Sequence, residues 1–449
     1  MAKDLQMNQN RFKSDEERVR DFQRKLYRKA KQERNFRFYV LYDKIRIPYF
    51  LREAYRRCRA KNGAAGVDGI TFEDIETKIG VAHLLKEIET ELKEKTYKPQ
   101  PVLRVYIEKA NGKLRPLGIP TIKDRVVQTA CKLVIEPIFE ADFEDDSYGF
   151  RPKRSAKDAI KKIRENLKEG KTEVLDADLS AYFDTIPHKE LMILIGKRIS
   201  DRNVLHLIKM WLKTPVMEDG KISGGKGNSK GTPQGGVISP LLANIYLNTL
   251  DKAVNRETGP FRKSGATIVR YADDFVIMAR TITADLEWYL TGLLNRLKLQ
   301  LNTEKTKKVD ARQESFEFLG FSVSYDRGLE GRPWRYWNIQ PSDKALKKIK
   351  GKVRACLKSY GYWPAPVLAS ELNAKIRGWL NYFNIPKVSY PAKKNRKFRW
   401  YLAQRIQRFY KRKSQRKCKL YNQGAFDILV RKHGLIDPAK YFPKETVNT

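Results

Sequence analysis

Cysteines, long apolar runs and acidic residues are all scarce in this 449-residue chain. The four cysteines, Cys58, Cys131, Cys356 and Cys418, stand far apart with no close pair. That spacing excludes a zinc knuckle and a disulfide framework and leaves them as packing residues. No stretch approaches the ~20 apolar residues of a membrane span, and the opening MAKDLQMNQNRFK holds no apolar segment that would act as a secretory signal. The expectation is a soluble, intracellular, cytoplasmic protein with no membrane partner. Asp and Glu number 52 against 91 Lys and Arg, a net charge of +39. Such an excess points to a polyanionic partner, most often nucleic acid.

The excess is uneven. From Pro341 onward there are 27 Lys and Arg but only 5 Asp and Glu, and none of the latter between Glu371 and Asp427. A disordered basic arm would be poor in aromatics. Here Trp379, Tyr382, Phe383, Phe398, Trp400, Tyr401, Phe409 and Tyr410 are interleaved with the charges, so the segment reads as a folded, nucleic-acid-facing domain. With 41% hydrophobic residues, the length suits about three domains.

Along the chain, Phe22, Leu26, Phe50 and Tyr55 are spaced as in helices. VLRVYIEKANGKLRPLGIP reads as two strands about an Asn111-Gly112 turn, and residues 122–140 as a helix. TEVLDADLSAYFD alternates like a half-buried strand. GKISGGKGNSKGTPQGG carries seven glycines in residues 220–236. It is a poor Walker loop, because Gly227 stands where Ser or Thr would follow Lys226 and no apolar strand leads in. Ser239 and Pro240 fit a helix start, Ser at the cap and Pro in the first turn. After residue 340 three amphipathic helices are expected, with stripes Leu346-Ile349-Val353-Leu357-Tyr360, Leu368-Leu372-Ile376-Trp379-Leu380-Phe383 and Phe398-Leu402-Ile406-Phe409.

Two acidic stretches stand out. Asp176 and Asp178 share a strand face because side chains alternate with period 2, and Asp273 and Asp274 lie at a break between two apolar runs in RYADDFVIMAR. A capping Asp and a hairpin turn would explain each alone. If the strands are neighbours, Asp178 and Asp273 face one another with Asp274 near, and repelling carboxylates at that range call for a cation. Mg²⁺ takes hard oxygen ligands, and two such ions about 4 Å apart suit in-line phosphoryl transfer.

These residues belong to a wider pattern. GVDG at 66–69, KLRPLGIPTIKDR at 113–125, SYGFRP at 147–152, DADLSAYFD at 176–184, GTPQGGVISPLLANI at 231–245, YADD at 271–274, LNTEKTK at 301–307, FLGF at 318–321 and IRGWLNYF at 376–383 occur in order. In this the chain resembles the group II intron-encoded reverse transcriptases and maturases. The resemblance implies an α+β right-hand polymerase, fingers and palm built of antiparallel sheet plus helices, followed by an all-α basic thumb and maturase domain. The implied divisions are a mostly helical N-terminal extension over 1–80, fingers and palm over 81–330, and the helical domain over 331–449.

By the same resemblance, Asp178, Asp273 and Asp274 are the catalytic residues and hold two Mg²⁺ ions, with the Leu179 backbone as a further ligand and Asp176 structural. Phe183 gates the sugar of the incoming deoxynucleotide, Gln234 shapes its pocket, and Lys109, Lys113 and Arg115 reach its triphosphate. Lys305 serves the departing pyrophosphate. Phe318, Leu319, Gly320 and Phe321 form the primer grip, and Arg377, Trp379, Lys393, Lys394, Arg396 and Lys397 contact RNA. Implied partners are intron RNA, an RNA template with a DNA primer, deoxynucleotides and target DNA. About 65 residues follow IRGWLNYF, with Cys418 and His433 as the only candidate metal ligands, so no endonuclease is expected and intron mobility would need a DNA end made elsewhere. Two other readings stay open: a domesticated polymerase in defence or repair, and a non-catalytic splicing cofactor, against which the intact carboxylates argue.

Overall fold

The computed structural model describes residues 13–108, 112, 114–225, 227–233, 235–328, 334–359, 363–412 and 419–441. Lys109, Asn111, Lys113, Lys226, Gln234, Tyr360 and Cys418, all singled out in the sequence, lie outside these. The first helix starts where its cap dictates: Ser14 accepts from the Glu17 amide and the Glu17 carboxylate accepts from the Ser14 amide, opening α1 (Asp15–Gln32). Proline opens α2 (Pro48–Lys61), and α3 (Val81–Glu94) follows. β1 (Val102–Glu108) and β2 (Leu114–Ile119) form the expected antiparallel pair. The helix expected over 122–140 is α4 (Ile122–Glu140), which packs against both α1 and α2.

Next come α5 (Ala156–Lys168) and β3 (Glu173–Ala177), then α6 (His188–Gly196) and α7 (Arg202–Leu212). The short strands β4 (Val216–Glu218) and β5 (Lys221–Ser223) extend the first sheet to the order β2-β1-β4-β5. A long buried helix, α8 (Ser239–Asn255), leads to β6 (Thr267–Tyr271) and β7 (Asp274–Ala279), and α9 (Ala284–Arg296) leads to β8 (Lys307–Asp310). The central sheet runs β6-β7-β3-β8, antiparallel throughout. β3 was expected to be half-buried. As an interior strand it is covered on both faces: Leu175 and Ala177 join the larger core with α4 and α8, and Val174 joins a second core on the other side.

That second core receives β9 (Phe316–Phe318), β10 (Phe321–Arg327) and β11 (Arg335–Pro341), a separate three-stranded sheet. Beyond it stand α10 (Asp343–Ser359), α11 (Ala365–Phe383), α12 (Ala392–Arg412) and α13 (Ala425–His433) around a third core. The expected stripes face that core over their described residues, with two differences, the first being that Phe383 at the end of α11 is buried in the second core against Phe321. In α12 the fully buried positions are Phe398, Leu402, Ile406 and Tyr410, while Phe409 stays at the margin. A spacing of four holds the stripe on one face through the last turn. Of the described cysteines, Cys58, Cys131 and Cys356 are all buried and free, as packing residues should be. Among the described residues no helix is long and apolar enough to cross a membrane.

Candidate active site

The β6–β7 hairpin closes in two residues, Ala272 and Asp273, with Tyr271 paired to Asp274. β7 pairs with β3 through Asp176–Val276 and Ala177–Phe275, so Asp178 and Asp274 both lie just beyond the same end of this pairing. Asp274 heads β7 and Asp273 occupies the turn before it, and the Asp178 charge acts on both. Asp176, Asp178 and Asp274 thus share one face at one end of the sheet.

Their charges interact. The Asp274 carboxyl reaches solvent but is crowded by protein, and this partial desolvation, followed by the charges of Asp273, Asp178 and Asp176, pushes its pKa up to about 7. Burial and then Asp178 raise Asp273, which Arg115 and Lys305 pull the other way. Burial and Asp178 push Asp176 up to about 6. Asp178 itself is engaged by a cation: Lys305 Nζ lies 2.5 Å from Asp178 Oδ2. Asn302 fastens the same residue, its amide donating to the Asp178 carbonyl at 2.8 Å and its Nδ2 to Oδ2 at 3.3 Å. Among the described residues no three metal-ligating side chains already enclose a point that would hold an ion.

The turn rests on a buried network that sequence reasoning missed. Ala272 has φ 59°, a left-handed conformation that costs an L-residue about 1–2 kcal/mol. Arg270, with none of its surface exposed, donates from Nη1 to the Ala272 carbonyl at 2.8 Å and to Asn244 Oδ1 at 3.0 Å. Its Nε and Nη2 pair with the Asp251 carboxylate at 2.8 and 2.5 Å. Asn244 Nδ2 in turn donates to the Gly149 carbonyl at 2.8 Å. A Cβ on Gly149 would stand 2.3 Å from the Ala272 nitrogen, so this glycine is what lets SYGFRP lie under the carboxylate turn. An arginine directly before YADD was the available signal, but nothing in the sequence marks its partners.

Other motifs converge on the same end. The Thr232 amide donates to the Phe183 carbonyl at 2.7 Å, and Gly231 to Ile186 at 2.8 Å. Phe183 is half-buried, its ring 5.5 Å from that of Tyr182. A Cβ on Gly235 would lie 2.3 Å from the Gly118 carbonyl, so the PQGG loop runs against β2, from which exposed Arg115 faces the acids. Gln128 of α4 accepts from the Val237 amide at 3.0 Å. Ser239 is not the cap expected of it. Ile238 holds that position without a side-chain bond, and the Ser239 hydroxyl donates to the Pro233 carbonyl at 2.9 Å, pinning the loop. Leu179 is buried and bridges Leu301.

FLGF forms a two-residue hairpin turn in which Leu319 (φ 50°) and Gly320 (φ 80°) are both left-handed. Phe318 and Phe321 are buried, Phe321 packs 4.8 Å from Phe383, and the Tyr382 hydroxyl donates to the Leu319 carbonyl at 3.0 Å. The IRGWLNYF helix therefore buttresses the turn. Among the basic candidates Arg377, Lys393, Arg396 and Lys397 are exposed. Lys394 is not: it is buried, with Nζ 2.5 Å from Asp343. Trp379 is also unsuited to stacking on a base, because its ring packs against Phe383 and Phe398 at 5.1 and 5.3 Å. Trp400, 64% exposed, is the aromatic that shares the outer face of α12 with Lys393, Arg396 and Lys397, at helical spacing.

Comparison with known proteins bears on this arrangement. Residues 107–323 match the reverse transcriptase (RNA-dependent DNA polymerase) family, and residues 346–422 the group II intron maturase-specific domain. Protein YkfC of Escherichia coli is 36% identical over 73% of this chain and 93% of its own length. The group II intron-encoded protein LtrA of Lactococcus lactis is 33% identical over 65% of this chain and 57% of its own length. An uncharacterised 91 kDa protein in the cob intron of Schizosaccharomyces pombe is 27% identical over 67% of the chain and 45% of its own length.

Proposed function

Because the chain belongs to the group II intron reverse transcriptase and maturase family, we propose that it copies RNA into DNA at the carboxylate cluster and binds intron RNA to assist its splicing. The observation that carries this reading is the meeting of Asp178, Asp273 and Asp274, from separate strands, beside Lys305 and Arg115. Reverse transcriptases as a family use Mg²⁺. The donor set here fits that ion: it is all oxygen, burial and neighbouring charge hold Asp273 and Asp274 above the usual carboxylate range, and Asp178 already attracts the Lys305 ammonium as an internal cation. With two Mg²⁺ bound by Asp178, Asp273 and Asp274 and by the Leu179 carbonyl, the chemistry supplied is Lewis-acidic, lowering the pKa of a primer 3′-hydroxyl and neutralising charge on the phosphate.

The protein's own groups do the rest. Arg115, from β2, would draw the triphosphate to the cleft, and Lys109 and Lys113, which lie outside the described residues, would share that role. The Phe183 ring would exclude a 2′-hydroxyl, so that deoxynucleotides enter, and Gln234 would line the same pocket. Lys305 would release Asp178 and turn to the leaving pyrophosphate, where an ammonium offsets developing charge or gives a proton. The FLGF turn, held rigid by Tyr382 and Phe383, would support the primer end. Arg377, Lys393, Arg396 and Lys397 present an exposed basic surface for intron RNA, with binding that weakens as salt rises.

Primer extension on an RNA template with Mg²⁺ tests the reading. The Asp273→Ala/Asp274→Ala double variant is expected to fold and bind RNA but not to extend the primer. Copying by that variant at the wild-type rate would show that the carboxylates are not the catalytic centre.

A further inference from the structure

A surface groove of about 450 Å³ opens between the segment after α1, the C-terminal end of α3 and the start of α7. None of its lining residues belongs to the motifs that build the carboxylate site. Arg46, Lys93, Lys95 and Arg202 line it, and among the described residues none of the four takes part in an ion pair. Its two acidic residues are already committed. Lys44 holds Asp43 Oδ2 at 2.5 Å, while Asp43 Oδ1 is buried with no hydrogen-bond partner among the described residues. Asp201 accepts from the Leu41 and Tyr42 amides on one oxygen, at 2.9 and 2.8 Å, and from the Asn203 and Val204 amides on the other, at 3.0 and 3.3 Å. The groove is therefore cationic: Lys44 offsets the charge of Asp43, and four further cations face the single remaining carboxylate, Asp201.

Tyr39 stands at its rim with 67% of its surface exposed. The backbone that presents this ring is fixed: the Phe38 amide donates to the Arg198 carbonyl at 2.8 Å, and the Ser200 amide to the Phe38 carbonyl at 2.9 Å. Buried Arg198 caps the end of α1 beneath it, donating to the Ala30 and Glu33 carbonyls at 2.7 and 3.0 Å. A rigid exposed ring beside four free cations matches an unpaired nucleotide strand, whose phosphates and base face can be met together. A base-paired duplex would offer the phosphates but no ring face.

We propose that this groove is a second RNA-binding site, separate from the carboxylate cleft, which takes a single-stranded RNA segment with its phosphates on Arg46, Lys93, Lys95 and Arg202 and one base on Tyr39. The proposal rests on the reading that the chain binds intron RNA, and it locates part of that binding where no polymerase motif lies.

The test uses the full chain with its cleft already filled by a template–primer duplex, and follows a labelled single-stranded RNA 12-mer by fluorescence anisotropy across a salt series. Removing two phosphate contacts in Lys93→Gln/Arg202→Gln is expected to lower the salt slope by about 1.4 and to weaken binding about 25-fold at 0.1 M salt. Tyr39→Ala is expected to lose about tenfold. All three residues are exposed, so melting temperatures should hold, and primer extension on a short template should stay within about twofold of wild type. Unchanged 12-mer affinity in these variants would overturn the proposal. So would an equal loss for an acidic peptide, since the groove would then be a general anion surface. Failure of the wild type to extend a primer, with the groove effect intact, would instead remove the polymerase reading alone.

Discussion

Gly149→Ala is the sharpest test of how the carboxylate turn is held. The added Cβ would lie 2.3 Å from the Ala272 nitrogen, 2.9 Å from the Tyr271 carbonyl carbon and 3.0 Å from the Ala272 Cα, all backbone atoms. Ordinary contact begins near 3.5 Å, so one side must retreat by about 1 Å. The glycine side is tied down: the Tyr148 amide donates to the Arg270 carbonyl at 2.8 Å, the Arg270 amide to the Asp146 carbonyl at 2.9 Å, and Asn244 holds the Gly149 carbonyl. The turn therefore moves, and with it Asp273, the next residue. Overpacking of this kind costs about 1–3 kcal/mol of stability, and a 1 Å displacement of a reacting group about 100-fold in rate. Single-turnover primer extension should fall by that order, beside a modest drop in melting temperature. Gly292→Ala is the control, because nothing lies within 4 Å of its Cβ on helix α9; it should gain about 0.5–1 kcal/mol at unchanged rate. A Gly149→Ala enzyme that copies RNA within twofold of wild type would refute the account of the turn.

Asp251→Ala strands the wholly buried Arg270 guanidinium, and calorimetry should show a loss of about 3–5 kcal/mol. Asp274→Asn is expected to stabilise the metal-free protein. The Asp274 pKa is raised to about 7 from 3.8, so in the folded state its ionisation is penalised. That penalty is absent below pH 4, grows as the pH rises toward 7 and is constant above. Three units read at face value would be about 4 kcal/mol, and solvent screening of an accessible carboxyl reduces this to on the order of 1. The variant's melting temperature in EDTA should thus exceed wild type at pH 8 and match it at pH 4; a gain at both would assign the effect to something other than charge. Phe183→Ala should incorporate ribonucleotides in competition assays, and unchanged sugar discrimination would remove the gate.

Much of this was legible beforehand, because the signals are local. Helix stripes, the β1–β2 pair and the period-2 placement of Asp176 and Asp178 depend on neighbours only a few residues apart. What failed also has a physical reason. Ser239 looks like a cap, yet the carbonyl it serves is that of Pro233, reached only because the loop folds back. Lys394 and Trp379 have the composition of an RNA surface, but the turn of their helices points one at Asp343 and the other between two phenylalanines.

The sequence by itself determined the element pattern, the sign of the partner's charge and, through its ordered motifs, the family. Only the tertiary structure decided that Asp274 heads β7 while Asp273 sits in the turn, that Lys305 sits on Asp178, and that Arg270, Asp251, Asn244 and Gly149 support one turn. Those facts depend on strand register and on contacts between residues distant in the chain. Such contacts arise from the simultaneous packing of three cores, and they leave no periodic trace in any one segment.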